Sequence, residues 1–207
     1  MRQTIPLFAV LAATAAQAQA TEILPGIELP AAAEVESRVN GDFNGDGIED
    51  AAYVAHNDDS RALTVVLSVK DEFSVDYRTE VLDLEPTDFA PGTLTLDGNV
   101  LKFEDMTGGT TAVSSTRRFR YDGRGGQMRL IGLDATLYSR TNAHDGFETS
   151  WNLLTGDATT RELKLNRGGG DAAYNPGRER SFKRSTRALW LANSPDPETV
   201  LEEMRDG

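Results

Sequence analysis

The sequence predicts a mainly β fold: a single antiparallel β-domain, built as a sandwich, barrel or curled sheet, with a short C-terminal helix. Three observations lead there. Apolar residues recur with period two through most of the chain, the pattern of half-buried strands. Glycine-bearing turns break those runs at short intervals, a spacing typical of all-β domains. Helical signals are confined to residues 31–39 and 194–207.

The chain opens on "MRQTIPLFAVLAATAAQAQA". Arg2 supplies a short basic start, Ile5 to Ala16 an apolar run, and Ala18-Gln19-Ala20 a small-x-small end. That order is a secretory signal, and the run falls short of the ~20 apolar residues that span a bilayer. Residues 1–20 are therefore expected to be a signal peptide. Residues 21–207 are expected to form one β-rich domain, periplasmic or secreted, with an acidic loop at 41–50. No later stretch is long and apolar enough to cross a membrane, so the protein is not expected to be membrane-spanning.

The elements follow in order. Residues 21–30 start loosely around Pro25, Gly26 and Pro30, and Ala31–Val39 reads as a short helix. In "ALTVVLSVK" Leu63, Val65, Leu67 and Val69 share one strand face while Thr64, Ser68 and Lys70 face away. "FSVDYRTEV" repeats the pattern with Phe73, Val75, Tyr77 and Val81. "TLTLDGNVLKFE" sets Asp97-Gly98 between two β-rich runs, a strong hairpin signal. "RRFRYDGRGGQMRLIGLD" predicts a second hairpin, with positive φ supplied by Gly123, Gly125 and Gly126. "ETSWNLLTG" and "RELKLN" read as strands parted by a Gly156-Asp157 turn. Residues 166–177 are a glycine-rich loop, and residues 180–192 a last strand. The closing helix has Ser194 as its expected N-cap and Pro195 in its first turn.

Composition removes several functions. The net charge is −12, which argues against nucleic acid and anionic membrane surfaces as partners. There is no cysteine, so disulfides, thiol catalysis and thiolate metal sites are excluded. The two histidines, His56 and His144, sit in polar turn-like stretches and read as exposed loop residues. No G-x-S-x-G, H-E-x-x-H or Walker loop occurs. The basic block "RERSFKRSTR" at 178–187 reads as a charged edge strand protected from pairing. Its functional alternative is a docking patch for an acidic partner or for anionic envelope polymers.

The acidic loop "GDFNGDGIED" carries the chemistry. Counted from Asp42, oxygen side chains stand at positions one (Asp42), three (Asn44), five (Asp46) and nine (Asp50), with the Ile48 carbonyl at seven. Gly47 at position six permits a sharp bend. A hard cation such as calcium takes six to eight oxygens, from carboxylates, amides, backbone and water. No imidazole or thiolate is present, so zinc and copper do not suit the set. Position twelve is Tyr53, where an EF-hand needs a bidentate glutamate, and the following "AAYVA" reads as strand. The alternative is a solvated turn whose Asp and Asn side chains cap their own backbone.

The motif Asp42, Asn44, Asp46, Gly47 and Asp50 resembles the D-x-[DN]-x-D-G-x-x-D loops of FG-GAP and VCBS-type repeats, as in integrin α-chain propellers. The resemblance covers about residues 39–55. It implies calcium held by those four side chains and the carbonyl of Ile48, in a loop joining two strands. Glu49 is not a ligand in that scheme. Propellers need several blades, and one loop cannot build them. The expected function is an exported β protein with one structural calcium site and a binding or envelope-associated role toward an unknown protein or envelope polymer. The alternative is an extracellular polymer hydrolase with a calcium-braced scaffold.

Overall fold

The computed structural model describes residues 22–30, 32–87, 90–169, 171–185 and 187–206. Residues 1–20, where the export signal is expected, lie outside this set. The chain divides into two compact units, residues 1–31 and 32–207. The described part of the first is a hairpin of β1 (Glu22–Leu24) and β2 (Ile27–Glu28). Pro25 presets its turn and Gly26 takes φ +80°, the combination a type II turn requires.

The second unit holds two antiparallel sheets. The smaller runs in chain order through β3 (Glu34–Gly41), β4 (Asp50–His56), β5 (Arg61–Lys70) and β6 (Val75–Asp83). The larger also follows the chain: β7 (Thr93–Asp97), β8 (Val100–Gly108), β9 (Thr111–Asp122), β10 (Gln127–Ser139), β11 (Gly146–Asn152), β12 (Asp157–Leu165) and β13 (Tyr174–Pro176). A last strand, β14 (Arg180–Lys183), pairs with the start of β12. Val54, Leu63, Val65 and Leu67 of the smaller sheet and Leu101, Phe103, Phe119, Leu130 and Leu133 of the larger form one buried cluster. The fold is the expected antiparallel β-domain, and two open sheets around one core make it a sandwich. A helix, α1 (Pro197–Asp206), closes the chain and sends Val200, Leu201 and Met204 into the same core.

Local expectations were overturned where tertiary pairing outweighs local pattern. The helix expected over residues 31–39 is strand β3, because β4 folds back across the acidic loop and pairs with it from Glu34↔His56 to Gly41↔Asp50. In β5 both faces are buried from Leu63 to Ser68, Thr64, Val66 and Ser68 included. In β6 the expected face is reversed: Phe73 is 91% exposed, and the buried residues are Glu80 and Leu82. The register explains the reversal, because Leu82, Glu80 and Arg78 sit opposite Leu63, Val65 and Leu67. The two polar members of that face bond to backbone of the larger sheet: Glu80 Oε1 accepts the Met128 amide at 2.9 Å, and Arg78 Nη1 donates to the Gly126 carbonyl at 2.7 Å.

Both hairpins form, with altered turns. The first closes at Asp97↔Val100, so its loop is Gly98-Asn99, with φ +57° at Gly98 alone; glycine first is the type II′ arrangement. In the second only Gly126 has positive φ, +65°. Asp122 does the rest, accepting the Arg124 and Gly125 amides at 2.9 and 3.2 Å. The strand expected over residues 180–192 shrinks to β14, and its continuation touches the sheet at the Arg129↔Trp190 bridge. The loop of residues 166–177 contains β13, whose Leu165↔Tyr174 pairing continues the ladder of β12. The helix N-cap is Asp196, not Ser194: its Oδ1 accepts the Thr199 amide at 2.9 Å, and Pro197 is the first helical residue.

Candidate metal centre

The acidic loop joins β3 to β4 and is held at both ends by their pairing, Gly41 against Asp50. Gly45 and Gly47 take φ +82° and +83°, so the chain coils tightly where other residues would be strained. Asp42 Oδ1 accepts the amides of Gly45 and Asp46 at 2.7 and 3.2 Å, and its Oδ2 accepts that of Gly47 at 2.9 Å. Asn44 Oδ1 accepts the Asp46 amide at 2.9 Å, while its Nδ2 donates to the Ser68 carbonyl at 2.7 Å. Asp46 Oδ1 accepts the Ile48 amide at 2.8 Å.

Asp50 stands apart. It is the first residue of β4 and is fully buried. Its Oδ2 accepts the Phe43 and Asn44 amides at 2.7 and 3.3 Å, and its Oδ1 accepts the Ser68 amide at 2.7 Å. Burial pushes the Asp50 carboxyl above the usual carboxylate range. The Ser68, Phe43 and Asn44 amides oppose that rise, and the charge of Asp46 adds to it. No cationic side chain pairs with Asp50 among the described residues. Ser68 fastens the loop a second time, its hydroxyl donating to the Glu49 carbonyl at 2.6 Å.

The expected donors are thus divided. Asp42, Asn44 and Asp46 share one coil with Ile48, whereas Asp50 lies inside and accepts three backbone amides. Among the described residues no three carboxylates or imidazoles stand within reach of a common ion. The all-oxygen chemistry of the coil suits a hard cation. Asp50 buttresses the loop through three amides, and its Oδ1, which accepts only one of them, keeps a lone pair. Glu49 is exposed and accepts from Asn40 Nδ2 at 2.9 Å.

The histidines are less exposed than expected, and only His144 lies in a loop. His56 ends β4, half-buried beside Glu36. His144 is half-buried, bridging Thr111 Oγ1 at 2.8 Å and the Asp145 carbonyl at 2.7 Å. Two residues of the basic block are paired: Lys183 with Asp157 at 2.6 Å, and Arg184 with Glu203 while stacking 4.5 Å from the Trp151 ring centroid.

A group that the sequence reading passed over is more deeply buried. Arg61 donates to Glu36 through Nε and Nη2 at 2.7 and 2.9 Å. It also donates to both oxygens of Asp105 at 2.8 and 3.0 Å, and to the Glu85 carbonyl at 3.1 Å. Glu36 is the extra residue of a β-bulge between Val35 and Ser37, and bulges re-aim side chains in this way. Burial alone would raise its carboxyl, but bonds from Arg61 and the Gly92 amide take it below its ordinary value. Gly92 is obligatory there, since a Cβ would run into Phe103 and Arg61. The sequence signal was phase: Arg61 falls in step with Leu63, Val65 and Leu67.

Fold and loop together define a two-sheet antiparallel β protein with an oxygen-rich coil joining two strands. No protein-family model matches the chain, and comparison with curated proteins and with solved structures gives no match.

Proposed function

We propose that this chain is an exported protein, periplasmic or secreted, whose coil at residues 42–48 holds one calcium ion as a structural brace and whose role is binding, at the cell envelope. The carrying observation is the coil itself. Asp42, Asn44 and Asp46 sit at alternate positions on backbone that Gly45 and Gly47 make possible, anchored by a buried Asp50 that no cationic side chain neutralises among the described residues. Like charges gathered on a coil repel one another, and a divalent cation relieves that repulsion. A binding role is preferred to hydrolysis because the two carboxyls pushed upward, Asp50 and Glu80, are each engaged by backbone amides of different strands. A glycosidase pairs one raised carboxyl with an ionised carboxylate across the bond it cleaves.

The test is a melting curve with chelator, calcium or magnesium. Calcium at a hundred times its dissociation constant stabilises by about 2.7 kcal/mol, so chelator lowers the Tm and calcium restores it better than magnesium. Asp46→Ala abolishes the response and Glu49→Ala keeps it. A melt indifferent to chelator, with no heat of calcium binding, overturns the metal reading. Export is tested separately: the native protein begins at Thr21, and a mature form retaining Met1 overturns it.

A further inference from the structure

Beside the Arg61 cluster lies a second buried guanidinium without a matching acid. Arg117 stands on β9 in phase with Val113 and Phe119 and is 5% exposed. Among the described residues it forms no ion pair. Its Nη2 has only the Pro195 carbonyl, at 3.5 Å, and its Nε is buried with no acceptor. The Phe103 ring centroid lies 6.0 Å from its guanidinium carbon. Asp105, one strand away, has both oxygens committed to Arg61. Burial draws the Arg117 pKa downward, the charges of Asp105 and Asp196 oppose this, and Arg61 adds to it. A cation removed from water with so few partners is costly unless something else completes its shell.

What Arg117 faces is a cavity of about 180 Å³ between the end of β6, strands β8 and β9, and the segment leading into α1. Ser115, buried on the same strand, lines it with a hydroxyl that takes no protein partner among the described residues. Asp83, Glu85 and Asp196 line it too and are exposed, so they form its rim. Arg117 and Ser115 therefore sit at the floor beside Asp105, whose two oxygens are held by Arg61, and the exposed carboxylates stand at the mouth. A simple anion would meet the acidic rim, and a metal cation would meet the guanidinium. The volume lies below the ~300–1,000 Å³ of sites for drug-sized molecules, and well above the ~30 Å³ share of one water.

We propose that this cavity binds a small zwitterion, a free amino acid, with its carboxylate on Arg117 and Ser115 and its ammonium against the rim carboxylates. The site is independent of the calcium coil, and a chelator-insensitive melt leaves it standing.

Glycine, β-alanine and γ-aminobutyrate are titrated into the full chain, with acetate and ethylammonium as controls. Heats of binding and amide shift changes are recorded at constant calcium. The expected result is that at least one zwitterion binds tenfold or more tighter than either control, with shifts at residues 105–117 and 194–197. Arg117→Met should abolish that binding. Asp83→Asn with Asp196→Asn should weaken it several-fold; asparagine caps a helix as well as aspartate, so this variant remains informative if Arg117→Met does not fold. The proposal is overturned if no zwitterion binds, if acetate matches the best of them, if the rim variant binds unchanged, or if the shifts map elsewhere.

Discussion

Arg61 uses every N–H of its guanidinium, two on Glu36, two on Asp105 and one on a backbone carbonyl. Because Glu36 belongs to the smaller sheet and Asp105 to the larger, this one side chain ties the two together. Arg61→Ala leaves two buried carboxylates unpaired and costs about 3–5 kcal/mol in chemical denaturation. Arg61→Lys recovers little of that, because an ammonium cannot fork to two carboxylates. Asp50→Ala strips three amides of their acceptor and destabilises by about 3 kcal/mol or more. It does so in calcium and in chelator alike, which separates a buttress from a ligand. Glu80 gives the opposite pH signature to a salt-bridged acid. Burial raises its carboxyl, against the Met128 amide and Arg78, so the folded state holds the proton more tightly than the unfolded chain. Stability from this group is present below the unfolded pKa and declines as pH rises through the folded one. Glu80→Gln should remove that decline, seen as a flatter difference in unfolding free energy between pH 4 and pH 8.

At the scale of elements, turns and caps were legible in kind and displaced in position. The Asp-Gly pair marked the β7–β8 hairpin, but the loop slid one residue to Gly98-Asn99 because Asp97↔Val100 closes the ladder. Gly98→Ala forces a side chain into positive φ and costs about 1–2 kcal/mol. Asp196→Ala removes the helix cap and costs about 1 kcal/mol, whereas Ser194→Ala has a much smaller effect; thermal melts of the two rank them. Ser194 attracted the cap in the sequence because serine, proline and acids follow one another there. With Ser194 as the cap, Pro197 would stand at the third helical position with no amide to offer it and would disfavour helical backbone at Asp196. With Asp196 as the cap, that position is Thr199, whose amide it accepts.

Over the whole molecule, protection follows the order of strands. β9 and β10 are the longest, lie inside the larger sheet and pair with each other from Asp122↔Gln127 to Thr111↔Ser139. β14 is four exposed residues at the margin. Native-state hydrogen exchange should be slowest in β9 and β10 and fastest in β14, and a reversed order would contradict the assignment of the core. The sequence by itself determined the antiparallel β class, both hairpins, the C-terminal helix and the oxygen-rich loop. Those follow from period-two patterning, turn residues and caps, which act over a few neighbouring positions. Only the tertiary structure decided which face of β6 turns inward, that residues 34–41 are strand, that Asp50 is interior, and that Glu36, Arg61, Asp105 and Arg117 meet between the sheets. Each depends on partners tens of residues away along the chain. A buried charge looks the same in the sequence as a solvated one until its partner is in place.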